Sequence, residues 1–180
     1  IAAKDHRVKP YRLLPITGGN IGEAKHRAAE LCNGDWLFEL DHDDAPMPKL
    51  FEECKNAAKK YPDAGFIYTD VCEMWEDGDW KYYGTIAPNR EWYGKWDNPF
   101  VWAYGGHELI EVDGKEYLTH HYCEINPKTI RFNIGMPNHA RVWRKDVYSK
   151  VGGHSRNMPV ADDLEMIIKS FLETRIVHIR

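Results

Sequence analysis

A short apolar run that ends in a cluster of aspartates constrains the fold of this sequence most. Residues 36–40 read Trp-Leu-Phe-Glu-Leu, and Asp41, Asp43 and Asp44 follow within four positions. Two prolines and a helix-like segment come next. Proline suits a first helical turn because its missing N–H needs no partner there. The pattern predicts a buried strand, an acidic loop at its carboxyl end, and then a helix.

Strand-like and helix-like segments alternate along much of the chain. Near-continuous apolar runs predict strands, whereas apolar residues three or four positions apart predict helices. The predicted strands lie at 11–16, 36–40, 64–70, 140–144 and 175–179, and the predicted helices at 22–32, 50–61, 146–151 and 163–172. This alternation is typical of an α/β domain with a mainly parallel sheet flanked by helices.

The segment 73–127 departs from this alternation. Asp-Gly pairs stand between strand-forming residues at 77–78 and 113–114, and Asp-Gly is the strongest short-range signal for a hairpin. Between the pairs, 92–104 is rich in Trp and Tyr. These aromatic residues predict either a groove where a sugar acceptor stacks or a satellite hydrophobic cluster. We expect an aromatic-rich insertion of hairpins and loops within a single domain spanning 1–180.

Composition argues against several classes of protein. The chain has 180 residues and is 43% hydrophobic, which is enough for one domain with a real core. Its net charge of −4, with Lys and Arg scattered, predicts no nucleic-acid partner. No apolar run approaches the ~18 residues of a membrane helix. The four cysteines form no CxxC pair, which favours a reducing compartment. The chain starts at Ile1 rather than Met, so we expect a piece of a longer protein.

The aspartate cluster predicts a site for a divalent cation. Open α/β sheets bind ligands at the carboxyl ends of their parallel strands, and like charges gathered there need a counter-ion. Mg²⁺ and Mn²⁺ prefer oxygen ligands and complete their shell with water and phosphate oxygens. The residues alone leave an alternative open, in which Asp44 caps the following helix and Asp41 closes a turn.

Two separate stretches resemble the family 2 glycosyltransferases of GT-A fold. The first, GGNIGEAKHRAAELCNGDWLFELDHDD at 18–44, is similar to the family's Asn-x-Gly, Ala-Arg-Asn helix, Gly-acidic-aromatic strand start and Asp-x-Asp motif. The second, VWRKDVYSKVGGHSRNMPVADDLEM at 142–166, looks like its Arg-x-x-x-aromatic, Gly-Gly and acidic-Asp series. The resemblance covers 12–70 and 131–179 in the family's order, without the family's first strand.

The resemblance implies a metal-dependent, inverting transfer of a sugar from a nucleotide-diphospho-sugar to a hydroxyl acceptor such as a glycan. Asp41 and Asp43 take the Asp-x-Asp positions, where they bind the donor and Mn²⁺ or Mg²⁺, with Asp43 expected on the metal and Asp41 nearer the ribose or sugar hydroxyls. Asp163 takes the position of the catalytic base, and Asp162 that of the acidic residue before it. The alternative for both is a helix N-terminus, where acidic side chains complement the helix dipole.

Two further residues fall on donor-binding positions of the resembled family. Lys25 stands where the family has arginine, so it keeps a charge near the donor phosphates but loses the planar fork. A solvated helix face is the alternative for Lys25. His139 lies on the segment that lines the donor-sugar pocket, and its alternative is a half-buried histidine without such a role. The missing first strand leaves the donor base and sugar undetermined.

These motifs bear on three possible functions. The favoured one is a glycosyltransferase of polysaccharide or glycan synthesis, in the cytoplasm or at the cytoplasmic face of a membrane. The second is a carbohydrate- or nucleotide-binding module on the same fold, which would not need Asp163 opposite the metal. The third, a phosphohydrolase with Asp-x-Asp after its first strand, is disfavoured because Asp44-Ala45-Pro46 lacks the Thr or Val typical of that class.

Overall fold

The structure of the protein is a computed structural model that describes residues 4–12, 14–74, 78, 104–131 and 137–180, with the backbone alone at 104–107. The helices in these residues are α1 (Ile21–Leu31), α2 (Leu50–Lys60), α3 (Lys145–Lys150) and α4 (Asp162–Glu173). The strands are β1 (Trp36–Glu39), β2 (Ala64–Thr69), β3 (Val71–Cys72), β4 (Tyr104–Val112), β5 (Lys115–Tyr122), β6 (Arg141–Arg144) and β7 (Arg175–Ile179). In this part of the chain, no helix combines the length and apolarity needed to cross a membrane.

The main sheet has the strand order β1-β6-β2-β7 and is mixed. β2 and β7 are parallel, whereas β6 runs antiparallel to both of its neighbours, β1 and β2. The predicted α/β class is confirmed, although the insertion of β6 makes two of the three strand pairings antiparallel. It also brings the first residue of β6 beside the last residue of β1, where Arg141 pairs with Glu39.

Helices cover both faces of this sheet, which explains why all six residues of β2 are buried. On one face Phe66 and Trp143 stack with 4.9 Å between ring centroids, and Tyr148 of α3 packs in the same cluster. On the other face Ile67 belongs to a cluster with Cys54 of α2. The helix predicted after the two prolines is therefore confirmed, and its apolar side lies in the core.

Part of the predicted insertion forms a second sheet, of order β3-β5-β4. β4 and β5 pair as far as Val112 and Lys115, and between them Asp113 and Gly114 have φ angles of 53° and 76°. A type I′ hairpin turn requires positive φ at both central residues, so the hairpin predicted from this Asp-Gly pair is confirmed. The hairpin predicted around 77–78, apart from position 78, and the aromatic residues of 92–103 lie outside the described residues.

A group of histidines and carboxylates, here called the inter-sheet cluster, joins the two sheets. Asp70, between β2 and β3, lies 2.7 Å from His178 Nε2 of β7 and 2.6 Å from His121 Nδ1 of β5. Glu124 and Glu108 lie beyond them, 3.0 Å from His178 Nδ1 and 3.3 Å from His121 Nε2. The side chains of Asp70 and His178 are only 5% and 2% exposed, so the link between the sheets is buried.

Two local expectations differ from the structure. The described residues of 11–16 form no strand, and Ile16 is 78% exposed. The apolar spacing that predicted α1 does not mark its buried side, because Leu31 is exposed whereas Gly22 and Glu23 are buried. The reason is that α1 docks through its first turn against the start of α4 rather than through a full apolar stripe.

Candidate active site

The candidate site residues come from four segments that meet at one end of the main sheet. They are Lys25 of α1, Asp41 after β1, His139 before β6, and Asp162 and Asp163 at the start of α4. They meet because β6 is antiparallel to β1, so that the start of one strand lies beside the end of the other. Two further charged residues, Glu39 and Arg141, form contacts that connect Lys25, His139 and Asp163.

Glu39 lies at the centre of the site. Its side chain is 11% exposed and forms ion pairs with Lys25 and with Arg141, the latter at 2.8 Å from Nη2. His139 Nε2 and His154 Nε2 lie 3.3 Å and 3.6 Å from its two oxygens. Burial alone raises the pKa of Glu39, but its hydrogen bond with His139 and the nearby cations outweigh burial and hold the pKa well below its ordinary value. Glu39 is therefore a fixed negative charge.

Arg141 connects Glu39 to the start of α4. Its side chain is 2% exposed, and Nη1 donates to Asp163 Oδ2 at 3.0 Å while Nη2 donates to Glu39 Oε1 at 2.8 Å. Burial lowers the pKa of a guanidinium, but the two carboxylates outweigh burial and raise the pKa of Arg141 above its ordinary value. The three residues therefore form a continuous chain of alternating charges from β1 through β6 to α4.

His139 faces the aspartate loop. Its Nδ1 lies 2.7 Å from Asp44 Oδ2, and its Nε2 lies 3.6 Å from Asp41 Oδ2. Arg141 Nη2, which can only donate, lies 3.0 Å from the same Nε2. His139 therefore lies between the aspartate loop on one side and Glu39 and Arg141 on the other. Asp43 lies outside this group, because its side chain is 76% exposed and its ion-pair partner is the neighbouring histidine.

Asp162 and Asp163 differ in their surroundings. Asp163 keeps 26% of its side chain exposed, and the charge of Arg141 outweighs burial, so that the pKa of Asp163 falls below its ordinary value. Asp162 is 5% exposed, and its Oδ2 has no hydrogen-bond partner among the described residues. Burial raises the pKa of Asp162 above its ordinary value. Asp163 is thus the ionised carboxylate that a ligand can reach.

The side chains that meet here fit a divalent cation. Glu39, Asp41 and His139 each offer one ligand atom, and these atoms lie within 4.8 Å of one another. Carboxylate oxygens suit Mg²⁺ and Mn²⁺. A ligating histidine usually has a carboxylate beside its other ring nitrogen, and Asp44 Oδ2 lies 2.7 Å from Nδ1 of His139. Oε2 of Glu39 also has no hydrogen-bond partner in the described part of the chain.

Glu39, Arg141 and His154 are functional candidates that sequence reasoning missed. One signal was present, because Glu39 interrupts an apolar run, and a carboxylate in such a run is rarely buried unless it is paired. No pattern marked His154, which is 2% exposed, contacts Tyr148 Oη through Nδ1 at 2.9 Å, and has its pKa lowered to about 4 by burial. Its partners come from other elements, so a local window could not reveal its environment.

Two cavities of the described structure lie away from these residues. One, of about 400 Å³, is lined at the starts of β2 and β7 by Asp63 and Arg175, at the opposite end of those strands. Another, of about 430 Å³, lies between β1 and α2 and is lined by Trp36, Phe38 and Phe51. Neither of these two cavities is lined by the candidate site residues.

Comparison with known proteins agrees with the motifs and the fold. The family described as "Glycosyl transferase family 2" matches residues 2–124. This chain therefore belongs to glycosyltransferase family 2, and its fold is of the GT-A class. The match includes the aspartate loop but ends before Asp162 and Asp163.

Two relatives are similar over shorter stretches. An uncharacterized glycosyltransferase of Haemophilus influenzae is 35% identical over 63 residues, which are 34% of this chain and 21% of that protein. The uncharacterized protein y4gI of Sinorhizobium fredii is 32% identical over 77 residues, which are 43% of this chain and 8% of that protein. The chain thus spans about a fifth of the first relative and less than a tenth of the second.

Proposed function

We propose that this chain catalyses an inverting, metal-dependent glycosyl transfer from a nucleotide-diphospho-sugar to the hydroxyl of an acceptor, in glycan or polysaccharide synthesis. The observation that carries the proposal is the convergence of Asp41, His139 and Asp163 at one end of the sheet, connected through Glu39 and Arg141. A site for the diphosphate and its cation and a reachable carboxylate base are the two parts that such a transfer needs.

Asp163 is the proposed base. Its carboxylate accepts the proton of the acceptor hydroxyl while that oxygen bonds to the anomeric carbon of the donor. The bond from the anomeric carbon to the phosphate oxygen breaks on the opposite side, and the nucleoside diphosphate leaves with the electron pair. Attack from the side opposite the leaving group inverts the configuration. The charge of Arg141 outweighs burial and holds the pKa of Asp163 below its ordinary value, so that the carboxylate is in the ionised form that can accept a proton.

Mn²⁺ or Mg²⁺ is the proposed cofactor. Asp41 is the ligand common to the Asp-x-Asp motif and to the group of Glu39, Asp41 and His139. Asp43, which is exposed, is proposed to join it when the donor diphosphate binds. When bound, the cation acts as a Lewis acid that stabilises the negative charge of the leaving diphosphate. Lys25, paired with Glu39, is proposed to add a cationic charge near the phosphates.

The test is an activity assay on the full-length protein with Mn²⁺ and a panel of uridine-, guanosine- and thymidine-diphospho-sugars. Asp163→Asn is expected to leave donor binding intact and to lower the transfer rate by roughly 10²–10⁴-fold, the range for a positioned acid–base group. Asp162→Asn serves as the matched variant, because its carboxylate is adjacent but buried. A larger loss in Asp162→Asn would move the base by one residue.

A different outcome with the same panel of nucleotide sugars would indicate a binding module instead of a transferase. If no nucleotide sugar is consumed and none raises the melting temperature, while a free glycan does raise it, the protein binds carbohydrate without transferring it. Retained transfer in Asp163→Asn would exclude Asp163 as the base but leave the transferase function standing.

A further inference from the structure

Arg141 has an unusual position for a cation. Its backbone pairs with Glu39 of β1 on one side and with Tyr68 of β2 on the other, in the middle of the main sheet. Its side chain is 2% exposed, and each terminal nitrogen holds a different carboxylate, Glu39 through Nη2 and Asp163 through Nη1. A buried guanidinium of this kind cannot move without leaving a charge unpaired, which is costly.

The Asp163 carboxylate has two hydrogen-bond donors among the described residues. Of its two carboxylate oxygens, Oδ2 accepts from Arg141 at 3.0 Å and Oδ1 accepts from the backbone N–H of Leu164 at 2.7 Å. The backbone contact is local to the first turn of α4, whereas the arginine contact ties the carboxylate to the sheet. The exposed quarter of the Asp163 side chain is the part left for a ligand.

We propose that Arg141 is a positioning residue for Asp163, and that Glu39 is the anchor that holds the Arg141 guanidinium in place. The inference rests on the proposed function, in which Asp163 accepts the proton of the acceptor. Glu39 and Arg141 touch neither the acceptor nor the reacting carbon in this proposal. They act on the reaction through the geometry and the charge of Asp163.

The effects of Arg141 and Glu39 on the pKa of Asp163 can be measured separately, because the two residues carry opposite charges. Arg141 from β6 and Lys25 from α1 favour its ionised form, Asp162 on its own helix opposes it, and His154 faces it from the preceding loop. Loss of the Arg141 charge should therefore raise the pKa of Asp163. Loss of the Glu39 charge should lower it, because Arg141 then interacts with one carboxylate instead of two. These opposite signs test whether both charges act on Asp163, and the kinetics of Arg141→Lys test whether Arg141 positions it.

The experiment measures the Asp163 titration directly by carboxyl-carbon NMR in the metal-free protein, with the signal assigned by its loss in Asp163→Asn. Arg141→Gln is expected to move the titration to higher pH and Glu39→Gln to lower pH. The control is Arg144→Gln on the same strand, whose side chain is 30% exposed and pairs with Asp146. This control should leave the titration of Asp163 unchanged.

Arg141→Lys adds a kinetic readout and also covers the case in which Arg141→Gln does not fold. Lysine keeps the charge but cannot hold two carboxylates with a rigid fork. We expect a titration near that of the wild type, KM for the donor nearly unchanged, and kcat lower by roughly 10²-fold, the cost of misplacing a catalytic group by about 1 Å. A wild-type kcat in Arg141→Lys would overturn the positioning role.

The other overturning result is a shift of the same sign in Arg141→Gln and Glu39→Gln, or no shift in either folded variant. A failure of the proposed function would be recognised by a different result. In that case the wild-type protein consumes no nucleotide sugar, while the NMR titration still tests whether Arg141 controls Asp163.

Discussion

At the end of β1, the carboxylate of Glu39 is shared among two cations and two imidazoles. This sharing explains why a buried acid can remain ionised there, since burial opposes the charge and the partners restore it. The same balance has the opposite result at Asp162, where no cation among the described residues pairs with the carboxylate and burial prevails. The pKa values of Glu39 and Asp162 therefore shift in opposite directions because the partners of the two side chains differ.

The residue-scale prediction concerns the proposed cation ligands. Mn²⁺ together with a nucleoside diphosphate should raise the melting temperature of the wild type, because a ligand that binds only the native state stabilises it by mass action. Asp43→Asn should abolish the metal-dependent part of this rise. The control is His42→Ala, whose side chain is 96% exposed. A full metal-dependent rise in Asp43→Asn, measured by differential scanning fluorimetry, would exclude Asp43 as a ligand.

Among the elements, the docking of α1 against the start of α4 brings the charge of Lys25 near Asp162. Asn20 caps α1 by accepting from Glu23 N at 2.8 Å, and its amide donates to Arg156 O at 2.8 Å. Gly22 permits the close approach. A Cβ built on it would lie 2.2 Å from the backbone oxygen of Ser155 and 2.9 Å from Asp162 Cβ.

The element-scale prediction is that Gly22→Ala destabilises the protein. Alanine gains roughly 1 kcal/mol of helix propensity over glycine, but overpacking costs about 1–3 kcal/mol. The contact at 2.2 Å is with backbone, which cannot turn aside as a flexible side chain can. We therefore expect a net loss in the free energy of unfolding, measured in urea.

Gly34→Ala is the matched control for this helix-packing prediction. The nearest atom to a Cβ at Gly34 is Trp36 O at 3.5 Å, an ordinary contact. The substitution should be neutral or stabilising by about 0.4–1 kcal/mol, because it restricts the unfolded chain. Equal effects of the two substitutions would show that the close approach at Gly22 does not limit packing.

At the scale of the whole described molecule, the inter-sheet cluster is a buried connection between the main sheet and the second sheet. His178 stacks on Tyr68 with 4.4 Å between ring centroids, and Asp70 also accepts from the backbone N–H of Tyr122 at 2.9 Å. Burial lowers the pKa of His178, but Asp70 and Glu124 outweigh burial and raise the pKa above its ordinary 6.5. Burial raises the pKa of Asp70, but its histidine partners outweigh burial and lower it below 3.8.

The raised pKa of His178 and the lowered pKa of Asp70 predict how the stability of the whole molecule depends on pH. A histidine with a raised pKa contributes stability that is complete below 6.5 and is lost as the pH rises through its folded value. An aspartate with a lowered pKa contributes stability above 3.8 that is lost as the pH falls. The cluster should therefore stabilise the fold most between these two values. Urea unfolding measured as a function of pH tests this window.

Asp70→Asn should flatten this pH dependence and lower the free energy of unfolding by about 1–3 kcal/mol, because the partners it leaves are buried. Asp63→Asn is the control. Asp63 also pairs with a residue of β7, Arg175, but the two side chains are 63% and 49% exposed, and exposed pairs contribute about 0–1 kcal/mol. If Asp70→Asn and the wild type show the same pH dependence of the free energy of unfolding, that dependence arises from other groups.

The sequence by itself determined the features that depend on neighbouring residues. These are the strand that ends in the aspartates, the helix after the prolines, the Asp-Gly turn with its two positive φ angles, and the acidic start of α4. A buried strand, a turn or a helix start needs only a few consecutive residues to be favoured. The family motifs also lie within such short stretches, which is why the family could be predicted before the fold was known.

Only the tertiary structure decided which charges meet. The insertion of β6 between β1 and β2 places Arg141 opposite Glu39, although they lie 102 positions apart. It also separates Asp163, held by Arg141 and open to solvent, from Asp162, which is buried. The order of strands in a sheet depends on the packing of the whole chain, and the pKa of a buried acid depends on the partners which that packing brings near it. Neither is encoded in the residues next to it.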